Sequence, residues 1–240
     1  MQLTTDAIVL NRVDYRDYDR MVTLFSPEHG RIDAVARGCR KPTSPLMNSA
    51  EMFCAGQYTL HVSGGRYTIT QCEIKDSFFA LRYDYDRLMH GIYWLSLADA
   101  AALPDQPAPE VFMLLLKALA HLCYSQLDAR MLTACFEMRY MPLMGFRPMM
   151  DRCVICGAGV DGEARFDEEK GGVVCGKCPS HAPKISAGAR RILYKAPLTD
   201  YSVVPKLEGH PDWEEAARLY RPFVERRIER RFRQSAPDIP

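Results

Sequence analysis

The sequence has almost no net charge. Its 240 residues carry 31 Lys and Arg against 30 Asp and Glu, for a formal charge of +1. No global field therefore marks a polyanionic partner, so any nucleic-acid or membrane role must rest on local clusters. Apolar runs are broken by charge or proline well before the roughly 18 residues of a membrane-spanning helix. The opening Met1-Gln2-Leu3-Thr4-Thr5-Asp6 has no basic stretch followed by an apolar core, so no secretory signal is expected and the cytosol is. A Walker loop, a dinucleotide fingerprint, a His-Glu-x-x-His helix and a Gly-x-Ser-x-Gly elbow are all missing. The six histidines are scattered, with no nucleophile beside them. Asp84 and Asp86 read as helix-start residues rather than a catalytic pair. No constellation supports an enzyme, and there is no internal repeat or low-complexity segment.

What is present suffices for a core, since 48% of the residues are hydrophobic. The length suits one large domain or two to three small ones. Five short runs read as strands: "AIVLNRV" (7–13), "RMVTLF" (20–25), "RIDAVA" (31–36), "QYTLHV" (57–62) and "YTITQCEI" (67–74). The turns between them include "SPEHG" (26–30) and "SGGR" (63–66). Five strands in so short a stretch suit an OB-fold barrel. Residues 37–52 read as an irregular loop whose basic residues project from unpacked backbone. Beyond Ser77 the period turns helical, with Leu88, Ile92, Leu95 and Ala98 on one inner face. Helices follow at 110–126 and 128–144, and a last one near 212–233, with a mixed segment before it.

Nine cysteines are present. Cys39, Cys54, Cys72, Cys123 and Cys135 lie in apolar contexts and read as small buried hydrophobes. The other four stand as Cys153-x2-Cys156 and Cys175-x2-Cys178, the spacing of a four-cysteine metal site. Each two-residue spacer lets a tight turn aim both sulfurs at one ion. Four thiolates suit structural zinc, with no position left for water. Iron is the first competitor, and a thioredoxin-like redox pair matches less well. His181 reads as a surface histidine.

Two basic clusters stand out. Arg31, Arg37, Arg40 and Lys41 face only Asp33 between residues 31 and 47. Such a loop can follow a phosphate chain by releasing counterions, and Tyr15, Tyr18, Tyr58 and Tyr67 could stack bases nearby. A solvated surface is the plain alternative. In "RPFVERRIERRFR" (221–233), six arginines face two glutamates beside an apolar stripe of Val224, Ile228 and Phe232, widened by Phe223. Arg226, Arg227, Arg230 and Arg231 are candidate phosphate contacts; a packing helix with local pairs such as Glu225–Arg226 is the alternative. A membrane role fits least, because the stripe is narrow.

The order of these features carries a resemblance. "AIVLNRVDYRDYDRMVTLFSPEHGRIDAVARGCRKP" (7–42) resembles the N-terminus of the RecO recombination mediators. "CFEMRYMPLMGFRPMMDRCVICG" (135–157) resembles that family's helix leading into its cysteine module. The likeness spans nearly the whole chain and is weakest at 161–220. It implies an α+β, multi-domain protein: an OB-fold that binds DNA (1–80), a helical domain (81–150), a zinc module (151–182) and a C-terminal helical segment packing on the helical domain (183–240). It further implies a non-enzymatic role in DNA repair and recombination, in the cytoplasm beside the nucleoid. The implied partners are single- and double-stranded DNA, RecR, the acidic C-terminal tail of the single-stranded-DNA-binding protein SSB and, indirectly, RecA. Strand annealing and the loading of RecA onto SSB-coated strands follow from the same resemblance. One departure is "PTSPL" (42–46), uncharged where family members often continue the basic loop. The competing reading is a zinc-containing interaction adaptor with only incidental DNA contact.

Overall fold

Strand β1, Gln2–Tyr15, is long enough to serve two neighbours. Its first half pairs with β4 (Ala55–Ser63) from Gln2↔His61 to Ile8↔Ala55. Its second half pairs with β2 (Asp19–Ser26) from Ile8↔Phe25 to Tyr15↔Asp19, after an irregularity between Val9 and Asn11. Such a bulge bends a strand, which lets one segment turn from one wall of a barrel to another. The computed structural model describes residues 1–198, 201–207 and 209–228. With β3 (Gly30–Ala36) and β5 (Arg66–Asp76), the barrel closes in the order β1-β2-β3-β5-β4. All five strands lie where the apolar runs predicted, each extending one to several residues further. Closure rests on a short parallel contact, Ala34↔Tyr67 and Val35↔Thr68.

The barrel interior holds Ala7, Val9, Val22, Leu24, Ile32, Ala34, Tyr58, Leu60 and Ile69. The segment between β3 and β4 adds Cys39, Leu46, Ala50 and Cys54 to that same core. It is therefore a packed plug of successive turns, not the unpacked backbone expected. Tyr58 also departs from expectation. It is fully buried and its hydroxyl donates to the carbonyls of Ser49 (2.8 Å) and Cys54 (3.2 Å), so its ring is closed to any ligand.

Two helices pack with the barrel. α1 (Tyr85–Ala101) starts at Asp84, whose carboxylate accepts from the Arg87 N–H. Its buried set includes Leu95 and Ala98 as expected but also His90, Tyr93, Trp94 and Leu97, so the inner face is wider than one stripe. α2 (Pro109–Tyr124) sets Phe112 edge-on against Phe25 of β2, centroids 5.6 Å apart. Between the helices, Leu103–Ala108 runs against the β2–β3 turn. Gly30 there takes φ +63°, and a Cβ would lie 2.0 Å from the Leu103 carbonyl oxygen, so only glycine fits.

The chain divides into two compact units between Tyr124 and Ser125. The second contains α3 (Ala129–Leu143), whose N-cap Asp128 accepts from the N–H groups of Arg130 and Met131. A three-stranded sheet follows in the order β7-β6-β8, from β6 (Ala164–Asp167), β7 (Gly172–Cys175) and β8 (Lys184–Ile185). Within the mixed segment lies a helix that the sequence pattern did not suggest, α4 (Ala187–Lys195), capped by the Ser186 hydroxyl accepting from Ala189 N–H. α5 (Pro211–Arg227) packs on α3 and α4 and buries Trp213, Ala216, Leu219, Tyr220, Phe223 and Val224. Arg230 and Arg231 lie outside the described residues, as does Phe232.

Candidate nucleic-acid interface and metal centre

The sulfurs of Cys153, Cys156, Cys175 and Cys178 all lie within 4.8 Å of one another. A tetrahedral ion with metal–sulfur bonds near 2.3 Å requires sulfur–sulfur edges of about 3.8 Å. Cys156 and Cys175, from different pairs, stand 3.8 Å apart. Local structure explains the convergence. Cys153 and Gly157 close a turn through Gly157 N–H to the Cys153 carbonyl (2.9 Å), with Gly157 at φ +74°. Cys175 ends β7, and Cys178 N–H returns to the Cys175 carbonyl (3.1 Å). Two further N–H groups, of Cys175 and Ile155, point at the Cys153 sulfur from 3.4 and 3.5 Å. Burial pushes the Cys153 thiol up, but N–H donors from Cys175, Cys156 and Ile155 outweigh it and bring the pKa to about 6. Hydrogen bonding with Cys156, then burial, pushes Cys178 up to about 12. The donor set fits a thiophilic cation able to hold all four sulfurs as thiolates. His181 is exposed and outside the cluster.

Of the five remaining cysteines, Cys39, Cys54 and Cys135 are buried, Cys72 and Cys123 are half-buried, and none forms a disulfide.

The first basic cluster divides. Arg37, Arg40 and Lys41 are exposed on the plug between β3 and β4, against the tip of the β1–β2 hairpin. Arg40 N–H donates to the Tyr18 carbonyl (3.0 Å), and the Asp19 carboxylate accepts from Gly38 N–H (2.7 Å). The Arg40 guanidinium reaches the Asp17 carbonyl (3.3 Å) and Asp14 (3.4 Å). A hydrogen bond from Arg20, helped by the fields of Arg40 and Arg12, holds Asp14 below the usual carboxylate range. Lys41 Nζ lies 5.5 Å from the Tyr18 ring centroid. Arg31 stands apart, at the far end of β3. Its guanidinium binds Asp33 (3.1 Å) and Asp99 of α1 (2.7 Å), so two carboxylates already neutralise it.

On α5, Glu225 pairs with Arg221 (2.9 Å) rather than with its neighbour Arg226. Arg221 also bonds the buried carboxylate of Glu137 in α3. Arg226 reaches Glu169 (3.0 Å) and Glu168 (3.7 Å) in the β6–β7 turn. Arg227 lies 3.7 Å over the Phe223 ring and donates to the Glu168 carbonyl (2.7 Å). Of the second cluster's candidate contacts, the two described ones, Arg226 and Arg227, thus bind α5 to the cysteine hairpin.

A cavity of about 410 Å³ lies between α3, α4, α5 and the 3-10 turn Tyr201–Lys206. Ile192, Leu207 and Trp213 give it apolar walls, and Arg139, Arg191, Lys195 and His210 line it with basic groups beside Asp212. The Arg139 guanidinium lies 4.9 Å over the Tyr201 ring, and its Nη1 has no hydrogen-bond partner among the described residues. The sequence reading missed this site. Its nearest signal was "ARRILYK" (189–195), where basic and apolar residues alternate on a short helix.

No helix among the described residues is long and apolar enough to cross a membrane. Residues 1–78 match the family described as Recombination protein O N terminal, and residues 82–236 match Recombination protein O C terminal. A DNA repair protein RecO from Acetivibrio thermocellus is 31% identical over 194 residues, covering 80% of this chain and 77% of the relative. One from Moorella thermoacetica is 27% identical over 237 residues, covering 96% and 88%. One from Desulfitobacterium hafniense is 35% identical over 184 residues, covering 76% and 67%.

Proposed function

Because the chain belongs to the RecO family of DNA repair proteins, we propose that it is a non-enzymatic recombination mediator that binds DNA and anneals complementary strands. The observation that carries this reading is the placing of Arg37, Arg40 and Lys41, exposed together on a packed plug at one end of the barrel. Cations on fixed backbone lose little entropy on meeting a phosphate chain, and they release its counterions. Neutralising phosphates lowers the repulsion between two strands. Base pairing then reads the sequence, so the protein needs little specificity of its own. Arg226 and Arg227, with Arg230 and Arg231, remain candidate contacts, but the first two must leave Glu168 and Glu169 or share them.

Zinc is the proposed ion for the four cysteines, in a closed structural site. It stabilises the hairpin that α5 packs against and supplies no chemistry. The cavity in the second unit supports contact with the acidic tail of SSB. The basic groups that line it, Arg139, Arg191, Lys195 and His210, suit the carboxylates of such a tail, and its apolar walls suit apolar side chains of the same peptide. RecR and RecA enter the proposal as the partners of the loading step. The test is annealing of complementary oligonucleotides by the isolated protein, with and without SSB. Annealing without any partner is expected. If strands paired no faster than they do spontaneously, while the protein still bound SSB, the adaptor reading would replace this one.

A further inference from the structure

We infer that the tip of the β1–β2 hairpin is a stacking platform that makes the barrel select unpaired over paired nucleotides; this rests on the DNA-binding reading above. Tyr15 and Tyr18 flank the tip, with 40% and 53% of their surface exposed. Each ring has a cation of its own. The Arg16 guanidinium lies 5.0 Å from the Tyr15 centroid, and Lys41 Nζ lies 5.5 Å from that of Tyr18. Arg16 takes φ +56°, a left-handed conformation that a non-glycine residue adopts only at a cost. The tip is also held in place. Tyr15↔Asp19 closes the strand pair, Arg40 N–H binds the Tyr18 carbonyl, and Asp19 accepts from Gly38 N–H. Tyr18 is therefore tied to the plug through Arg40 and Lys41, while Tyr15 lies three residues before it beside Arg16.

Exposed tyrosine rings, each beside a cation, match the two features of an unpaired strand, which offers bases to stack and phosphates to neutralise. A duplex offers only its phosphates there, because its base faces are already stacked. Acidic residues at the tip, Asp14, Asp17 and Asp19, limit the local positive charge, so phosphate attraction by itself discriminates poorly. Stacking then supplies the preference for single strands. Tyr58 cannot take part, being closed inside the barrel.

The experiment measures the affinity of the full chain for a mixed-sequence single strand and for the matching duplex, by fluorescence anisotropy at one salt concentration. Tyr15→Ala and Tyr18→Ala should each weaken single-strand binding by about fivefold or more, with duplex affinity held. Tyr18→Phe, which keeps the ring, should retain single-strand affinity. Replacing Arg37, Arg40 and Lys41 by Ala should weaken both substrates. Equal losses on both substrates in the tyrosine variants, or no loss on either, would overturn the stacking platform while leaving DNA binding intact. A wild-type chain that bound neither substrate would overturn the DNA-binding reading itself. Unchanged thermal melting of the variants guards against loss of the fold.

Discussion

Four basic residues of one short sequence stretch meet different fates. Arg31 is held between two carboxylates, and Arg40 is anchored by backbone and by Asp14 but exposed. Arg37 faces water, and Lys41, also exposed, lies over the Tyr18 ring. Charge counting along the sequence cannot separate these cases, because beside the neighbouring Asp33 a second carboxylate on Arg31 comes from Asp99, far along the chain in α1. Arg31→Ala should therefore lower stability by about 1 kcal/mol, as expected for a partly exposed ion pair, and leave DNA affinity nearly unchanged. Chemical denaturation and anisotropy on the same sample check both halves. A large drop in affinity at wild-type stability would return Arg31 to the binding surface. Tyr58 teaches a similar lesson. Its ring looked available because strand alternation does not say which face of a closed barrel a residue takes, and it faces in.

At the scale of elements, the strands were legible because each is a short apolar run between turn residues. The plug between β3 and β4 was misjudged because glycine and prolines suggested loose chain. The sparse apolar positions Cys39, Leu46, Ala50 and Cys54 were the signal that it packs. α4 was missed because only Ala189 and Leu193 are buried on it, too few for a period to emerge. The four cysteines were legible in full, since their spacing encodes their geometry. Cys153→Ser should cost bound zinc and loosen the hairpin while the barrel still melts cooperatively, because the two lie in different compact units. Elemental analysis with circular dichroism checks this, and loss of barrel structure would contradict it. Arg227→Ala removes the stack on Phe223 and the bond to the Glu168 carbonyl, which together contribute about 1–2 kcal/mol. Zinc release to a chromogenic chelator should become faster. An unchanged rate would mean that α5 and the hairpin are not energetically linked through this residue.

Over the whole molecule, the near balance of charge hides local features that differ between the two units. The first carries exposed cations and tyrosines on a closed barrel. The second carries a four-cysteine hairpin, a helix clamped to it by arginines, and a cavity with basic groups on apolar walls. The family was readable from the order of barrel, helices and cysteines. The cavity was not, because its lining comes from segments spread between Cys135 and Trp213 that only folding brings together. The central claim is that the plug's three cations bind the phosphate backbone. Its most direct test is the dependence of single-strand affinity on salt, measured for the wild-type chain and for the Arg37→Ala, Arg40→Ala, Lys41→Ala triple variant. Each lost phosphate contact should reduce the slope of log affinity against log salt by about 0.7, so the triple variant should be shallower by up to about 2. An unchanged slope in a folded triple variant would remove the plug from the binding surface and contradict the account.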